Sequence, residues 1–348
     1  MKKYMKKMLA LLLVLAMTLS LTACAKDEKP ADNDGGATAD TDNQDTEKED
    51  SGSDEAWSKD TKMVIGFSQN KLAHPFRVAG VEQLKAYVQE QGLNWEIIVT
   101  DGKNDATTQT ANIEDLISQG VDAIICCPVT ADTMATAATE VMDAGIPLIL
   151  VNRNVSNDDY TCAITGSNYM IGQKSADDMA KRLDGKGKVA MIEGTLGASD
   201  TTDRAKGFLE TIANYPDIEV IADVSGDFAK DKGMACMEDI LVKYPDIDGV
   251  FCHNDEMAQG AYMACEAAGA DDVLIYGNDC YKSTLDMIKE GKIAGTTAYP
   301  TSVQSAVDVL VKIFENGGVY DGEKEIVDDV PIATKENADD FYGVALDA

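Results

Sequence analysis

The chain has 348 residues, with 61 acidic against 30 basic side chains and a formal net charge of −31. Its length suits two domains rather than one core, and its charge argues against nucleic acid and against direct docking on anionic lipid. Eight cysteines, two histidines and no CxxC pair argue against a zinc site and a disulfide framework, leaving buried free thiols as the expectation.

In chain order, "MKKYMKKM" is a basic leader, "LALLLVLAMTLS" is apolar, and "LTAC" ends on Cys24. The apolar run suits an export signal over residues 1–23, not a spanning helix. Residues 24–59 are polar, acidic and poor in aliphatics, so they read as a disordered tether. From there, short apolar runs alternate with amphipathic stretches. "KMVIGFS", "WEIIVTDG", "VDAIICCP", "IPLILVN" and "YTCAITGSN" read as strands. "PFRVAGVEQLKAYVQEQG" reads as a helix opening on proline and closing on glycine. A second series starts at "GKVAMIEG" and runs through "EVIADVS", "DGVFCHND", "DVLIYGND" and "KIAGTTAYP", with helices between. This repetition predicts an α/β protein with two similar lobes, each a parallel sheet flanked by helices.

No GxGxxG follows a strand, and no GxxxxGK[ST], HExxH or GxSxG occurs. A nucleotide enzyme or a hydrolase is therefore disfavoured, and no cofactor is called for. In open parallel sheets ligands bind beyond the carboxyl ends of strands. Those ends carry "SQNKLAHPFR", Asn152-Arg153, "EGTLGASDTTDR", "SGDF", "HNDE", "GNDC" and "TAYPT". One Asn or Asp there is a normal turn or cap residue; their recurrence in both series is the signal. Asp accepts hydrogen bonds, Arg donates in a planar fork and Asn does both. Aromatic rings can cover the C–H faces of a sugar. The set suits a polyhydroxylated ligand.

The motifs "IGFSQN", "HPFR", "QGVDAIICCPV", "AGIPLILVNR", "EGTLGASDTTDRAKGF", "SGDF", "HNDEMAQGA" and "YGND" resemble the periplasmic sugar-binding proteins of ABC importers, type I, in the ribose- and galactofuranose-binding branch. The resemblance runs from about Met63 to Phe341. It implies two lobes joined by a three-strand hinge, 60–166 plus 300–328 and 167–299 plus 329–348, with the ligand in the cleft. "LTAC" resembles a lipobox, which implies cleavage before Cys24 and a lipid anchor on it. The partners implied are a sugar and a membrane permease, with the protein acting as a monomer.

Carried over residue by residue, the resemblance places His74, Phe76, Arg77, Asn152, Arg153, Arg204, Phe228, Asn254, Asp279 and Tyr299 at the ligand. Each has a plainer reading. His74 could face solvent, Phe76 could staple a helix, and Arg77 and Arg204 could be solvated helix charges. Arg153 could pair with a nearby acid. Phe228 could be a core contact and Tyr299 could pack in the hinge. Asn254 and Asp279 could be helix caps, with Asp255 the better cap candidate before the helix near Glu256. Arg77 stands where the ribose type has an aromatic, and Asn152 where the family usually has aspartate. Two alternatives share parts of this pattern: a sensor that hands the closed form to a chemoreceptor or histidine kinase, and a secreted α/β enzyme. The enzyme would need a nucleophile–base pair that the sequence does not offer.

Overall fold

The structure, a computed structural model, describes residues 56–347. The leader, Cys24 and most of the tether lie outside them. Among the described residues no helix is long and apolar enough to cross a membrane.

The first sheet is built from β1 (Met63–Gln69), β2 (Trp95–Asp101), β3 (Ala123–Cys126), β4 (Leu148–Val151) and β5 (Cys162–Gly166), all parallel. Between them run α1 (Pro75–Glu90), α2 (Ala106–Gln119) and α3 (Ala131–Asp143). The second sheet is built from β6 (Lys186–Glu193), β7 (Asp217–Ser225), β8 (Gly249–Cys252), β9 (Leu274–Asn278) and β10 (Gly295–Thr297). Its helices are α4 (Asn168–Arg182), α5 (Ser199–Ile212), α6 (Lys230–Lys243), α7 (Asp255–Ala268) and α8 (Lys282–Lys289). After α9 (Val303–Glu315), β11 (Glu325–Asp328) joins the first sheet beside β5, and β12 (Ile332–Thr334) joins the second, antiparallel to β10. The two orders match, β11-β5-β4-β3-β1-β2 and β12-β10-β9-β8-β6-β7.

The inner strands are buried on both faces, which is why they read as unbroken apolar runs. Ile125 and Ile149 point into one core layer, while Ile124 and Leu150 point into the layer on the other face. The second lobe repeats this with Val250 against Phe251. Helix α9 closes the first lobe through Val303, Val307, Leu310 and Ile313, all buried. Each such side chain contributes about 1.5–3 kcal/mol. Local signals set the helix ends. Pro75 opens α1, where a missing amide costs nothing. The Asp105 carboxylate accepts from Thr108 N, and left-handed Gly120 ends α2.

The chain passes between the sheets three times, from β5 to α4, from β10 to α9, and from β11 to β12. The crossings pack together at Gly166, where a Cβ would lie 2.7 Å from both Tyr299 and Val330. In the second lobe α4 and α5 are nearly in backbone contact. A Cβ on Gly207 would sit 2.0 Å from the Tyr169 carbonyl oxygen.

Two expectations need correction. The tether expected to run to residue 59 yields to folded chain sooner. Trp57 packs on Phe314 in the first core at 6.1 Å between ring centroids, and the Lys59 carbonyl accepts from Asn94 N. A polar stretch hid one aromatic anchor. Asp255 is not the cap of its helix. Helix α7 starts at Asp255, and the Asn254 side chain caps it by accepting from Met257 N at 3.0 Å. The Asp255 carboxylate turns inward instead and accepts from Tyr281 N and Thr296 Oγ1. All seven described cysteines are free thiols, and all but Cys236 are buried.

Candidate functional site

The carboxyl ends of both sheets face one cavity with an empty volume of about 390 Å³, its mouth included. Nine of the ten expected residues line it; Asn152 does not.

From the first lobe, the loop after β1 and the first turn of α1 bring His74, Phe76 and Arg77. Phe76 and Arg77 are buried rather than solvated, and Phe76 stacks on Tyr299 at 5.6 Å. Arg153 follows β4, 2% exposed. Its Nη1 donates to the carbonyls of Pro128 and Val129, and its Nε donates to Asp200 Oδ2 at 3.0 Å. Asn152 stands behind this wall, with a left-handed backbone at φ 63°. Its Oδ1 accepts from Arg77 Nη1 at 2.7 Å, and its Nδ2 donates to the Pro300 carbonyl at 2.9 Å. Asn152 therefore orients Arg77 and ties β4 to the hinge, where the sequence pattern placed it against the ligand.

That geometry explains the amide. A carboxylate at 152 could accept from Arg77, but its other oxygen would face the Pro300 oxygen with no donor between them. Asn152→Asp is therefore expected to destabilise by ~1–3 kcal/mol, the cost of an unsatisfied buried polar group. A lowered melting temperature in thermal denaturation checks this; an unchanged or raised one contradicts it.

From the second lobe, the first two turns of α5 supply Asp200 and Arg204. Arg204 Nε donates to Asn168 Oδ1 at 3.0 Å and Nη1 to the His253 carbonyl at 2.5 Å. Its guanidinium lies 4.8 Å from the Tyr299 ring centre and 5.9 Å from that of Phe228. Phe228 sits in a left-handed turn after β7, φ 55°. Asn254, while capping α7, approaches His74 Nε2 with its Nδ2 at 3.0 Å. Asp279 follows β9 with φ 124° and accepts from Asn278 Nδ2. It caps no helix, since Tyr281 precedes α8. Tyr299 donates its hydroxyl to the Asn152 carbonyl at 2.8 Å and accepts from Asn168 Nδ2, so it serves both the hinge and the cavity wall.

Burial pushes the Asp279 carboxyl well above its usual range, with Asp255 adding to the rise against Arg204 and Arg77. Burial would also raise Asp200, but Arg153, then Arg204 and Arg77, outweigh it and hold that carboxyl low. The His74 imidazole is lowered chiefly by burial, against Glu256 at 3.0 Å. His253 is depressed to about 3 by burial and accepts from Gly194 N, so it stays neutral. Burial lifts Asp255 to about 6. Folded protein therefore holds the Asp255 proton at pH values where unfolded chain has released it. Stability from this group is full below about pH 4 and falls as pH rises through about 6. Asp255→Asn is expected to flatten that fall, read as urea midpoints at pH 4, 5 and 6.

Six further residues line the cavity: Asn70, Lys71, Asn104, Thr195, Asp200 and Asp227. Asn70 Oδ1, Asn104 Oδ1 and His74 Nδ1 are buried without a protein partner. Donors, acceptors and three aromatic rings thus surround one small space. Among the described residues no group of three or more His, Cys, Asp or Glu is placed to hold a metal. Asp200 and Thr195 lie in "EGTLGASDTTDR", and Asn70 and Lys71 in "SQNKLAHPFR". The signal was their position after strands, masked by the ordinary use of such residues in turns and caps.

Two lobes of matching strand order with a shared polar cavity at their strand ends define a type I periplasmic binding protein. The chain belongs to the periplasmic binding protein domain family, which its residues 65–317 match, and such proteins are extracytoplasmic. It is 35% identical over 237 residues to the ribose import binding protein RbsB of Bacillus subtilis, covering 68% of this chain and 76% of that one. It is 33% identical over 295 residues to the xylitol-binding protein of Mycolicibacterium smegmatis, covering 82% and 81%. A crystal structure of a galactofuranose binding protein superposes with a TM-score of 0.76 at 29% identity, over 80% of this chain and 96% of that one.

Proposed function

We propose that this protein is a non-enzymatic binding module that captures a monosaccharide or related polyol and delivers it to the permease of an ABC importer. The observation that carries this reading is the cavity itself. Arginine and amide groups from both lobes and carboxylates from the second converge with Phe76, Phe228 and Tyr299 on one shared space. Hydroxyls both donate and accept, so they suit the unpartnered Asn70 and Asn104 oxygens and the free edges of the arginines. The names of the relatives, which bind ribose, xylitol and galactofuranose, support the same class of ligand. His74, Phe76, Arg77, Arg153, Arg204, Phe228, Asn254, Asp279 and Tyr299 are the proposed ligand residues, with Asn152 orienting Arg77. Ligand favours the closed arrangement through its differential affinity for it. Residues 1–23 as an export signal and a lipid on Cys24 complete the reading, holding the protein at the membrane surface.

The test is a thermal-shift screen against pentoses, hexoses, pentitols and inositols. One or more should raise the melting temperature, by linkage. No shift with any of them, or turnover of a sugar, would count against the proposal.

A further inference from the structure

The charges lining the cavity are divided between the lobes. The first-lobe wall carries Lys71, Arg77 and Arg153 and no carboxylate. The second-lobe wall carries the carboxylates of Asp200 and Asp227, beside the buried Asp279 carboxyl, and of the lining residues there Arg204 is the cation. The amide at Asn152 is part of this division, because it leaves Arg77 and Arg153 without an acid from their own lobe. At the centre of the cavity the division becomes a contact. Arg153 Nε, fixed to the first lobe by Nη1 on the Pro128 and Val129 carbonyls, donates to Asp200 Oδ2, and both side chains are at most 3% exposed. Asp200 is itself fixed, its other oxygen accepting from Thr201 N at 2.9 Å. Further out, Asn104 Nδ2 donates to Asp227 Oδ1 at 3.2 Å, Asn154 N to Ser199 Oγ at 2.8 Å and Ala131 N to the Gly197 carbonyl at 3.0 Å.

We propose that Asp200 is the closing residue of this protein: its carboxylate draws the first lobe onto the second through Arg153 and sets which arginine donors are left for a ligand. Both partners belong to the chain, so the contact needs nothing bound to form. Separated lobes would return Arg153 and Asp200 to water; closed lobes make a dry, charge-assisted hydrogen bond. The same bond consumes Nε while Nη1 is held by backbone, so Arg153 offers a ligand Nη2 alone. A ligand entering the cavity therefore meets a preset donor and a closed state already populated, which lowers the conformational cost of binding. Only the effect on the ligand rests on the binding function proposed above; closure itself does not.

The experiment is small-angle scattering of sugar-free protein, wild type against Asp200→Asn. The substitution keeps shape and removes charge, leaving Arg153 uncompensated in the closed form. The opening equilibrium is expected to shift toward the open form by ~10-fold or more, the size of a lost hydrogen bond to a charged group. That appears as a larger radius of gyration with an intact thermal unfolding transition. Asp200→Ala, which removes the acceptor altogether, should open at least as far. A variant pair as compact as wild type overturns the proposal, and so does a wild type that is already open. Calorimetry with D-ribose and xylitol runs beside it. Failure of every sugar to bind wild type would count against the binding reading while leaving the scattering result to judge Asp200.

Discussion

Arg204→Ala is expected to weaken binding of whichever sugar raises the melting temperature by roughly 10- to 150-fold, the equivalent of ~1.5–3 kcal/mol for a hydrogen bond to a charged group. Arg204 is almost fully buried, yet among the described residues no carboxylate lies within ion-pairing distance of it. Asn168 and the His253 carbonyl hold two of its nitrogens, and the Tyr299 ring lies beneath the guanidinium. A buried cation with an edge on the cavity and no direct ion pair among the described residues is poised for ligand oxygens. Alanine removes donor, charge and ring contact together. Arg204→Lys should rescue little, since an ammonium cannot reproduce the planar fork that meets Asn168, the carbonyl and a ligand at once. Isothermal calorimetry decides the matter, and an affinity within threefold of wild type would remove Arg204 from the site.

Gly207→Ala is expected to be strongly destabilising. The added Cβ would meet backbone, 2.0 Å from the Tyr169 oxygen and 2.9 Å from its carbonyl carbon, so no side-chain rotation relieves it. Gly172 faces the same seam from the other helix, 2.1 Å from the Arg204 oxygen. Helices α4 and α5 would have to separate, at a cost of about 1–3 kcal/mol or more. They carry Asn168 and Arg204, so sugar affinity should fall together with the melting temperature. Gly80→Ala is the control. Its Cβ finds nothing closer than 3.7 Å, and a helical alanine in place of glycine gains roughly 0.5–1 kcal/mol. Calorimetric melting of the three proteins should rank Gly80→Ala highest and Gly207→Ala lowest.

The architecture was legible because the inner strands are buried on both faces. "AIIC", "LILV" and "GVFC" show no alternation to confuse with a half-exposed sheet. Residues that follow those strands could be named because sheet topology alone dictates where they point. Less legible were residues whose ordinary local role hides another. Asp200 begins a helix and reads as an N-terminal acid, though it reaches across the cleft to Arg153. Asn254 and Asp255 are adjacent acceptors, and only the turn inward toward Tyr281 and Thr296 decides which one caps. Asn152 stands at a strand end like Arg153 yet points the other way, because its left-handed backbone turns the amide toward Arg77 and the hinge. Trp57 lay in acidic sequence, and the partner that orders it, Phe314, is distant along the chain.

The triple crossing of the chain dictates an order of events during synthesis. The first lobe owns α9 and β11, which are made only after α4 to α8 of the second lobe and after its strands β6 to β10. Its β1-to-β5 sheet must therefore wait, with the face that α9 covers exposed, until residues past 310 have been made. Neither lobe can be completed before nearly the whole chain exists. Truncation at residue 298 would leave the second sheet without β12 and the first without both its closing helix and its sixth strand. The two lobes have separate cores but are interleaved along the chain.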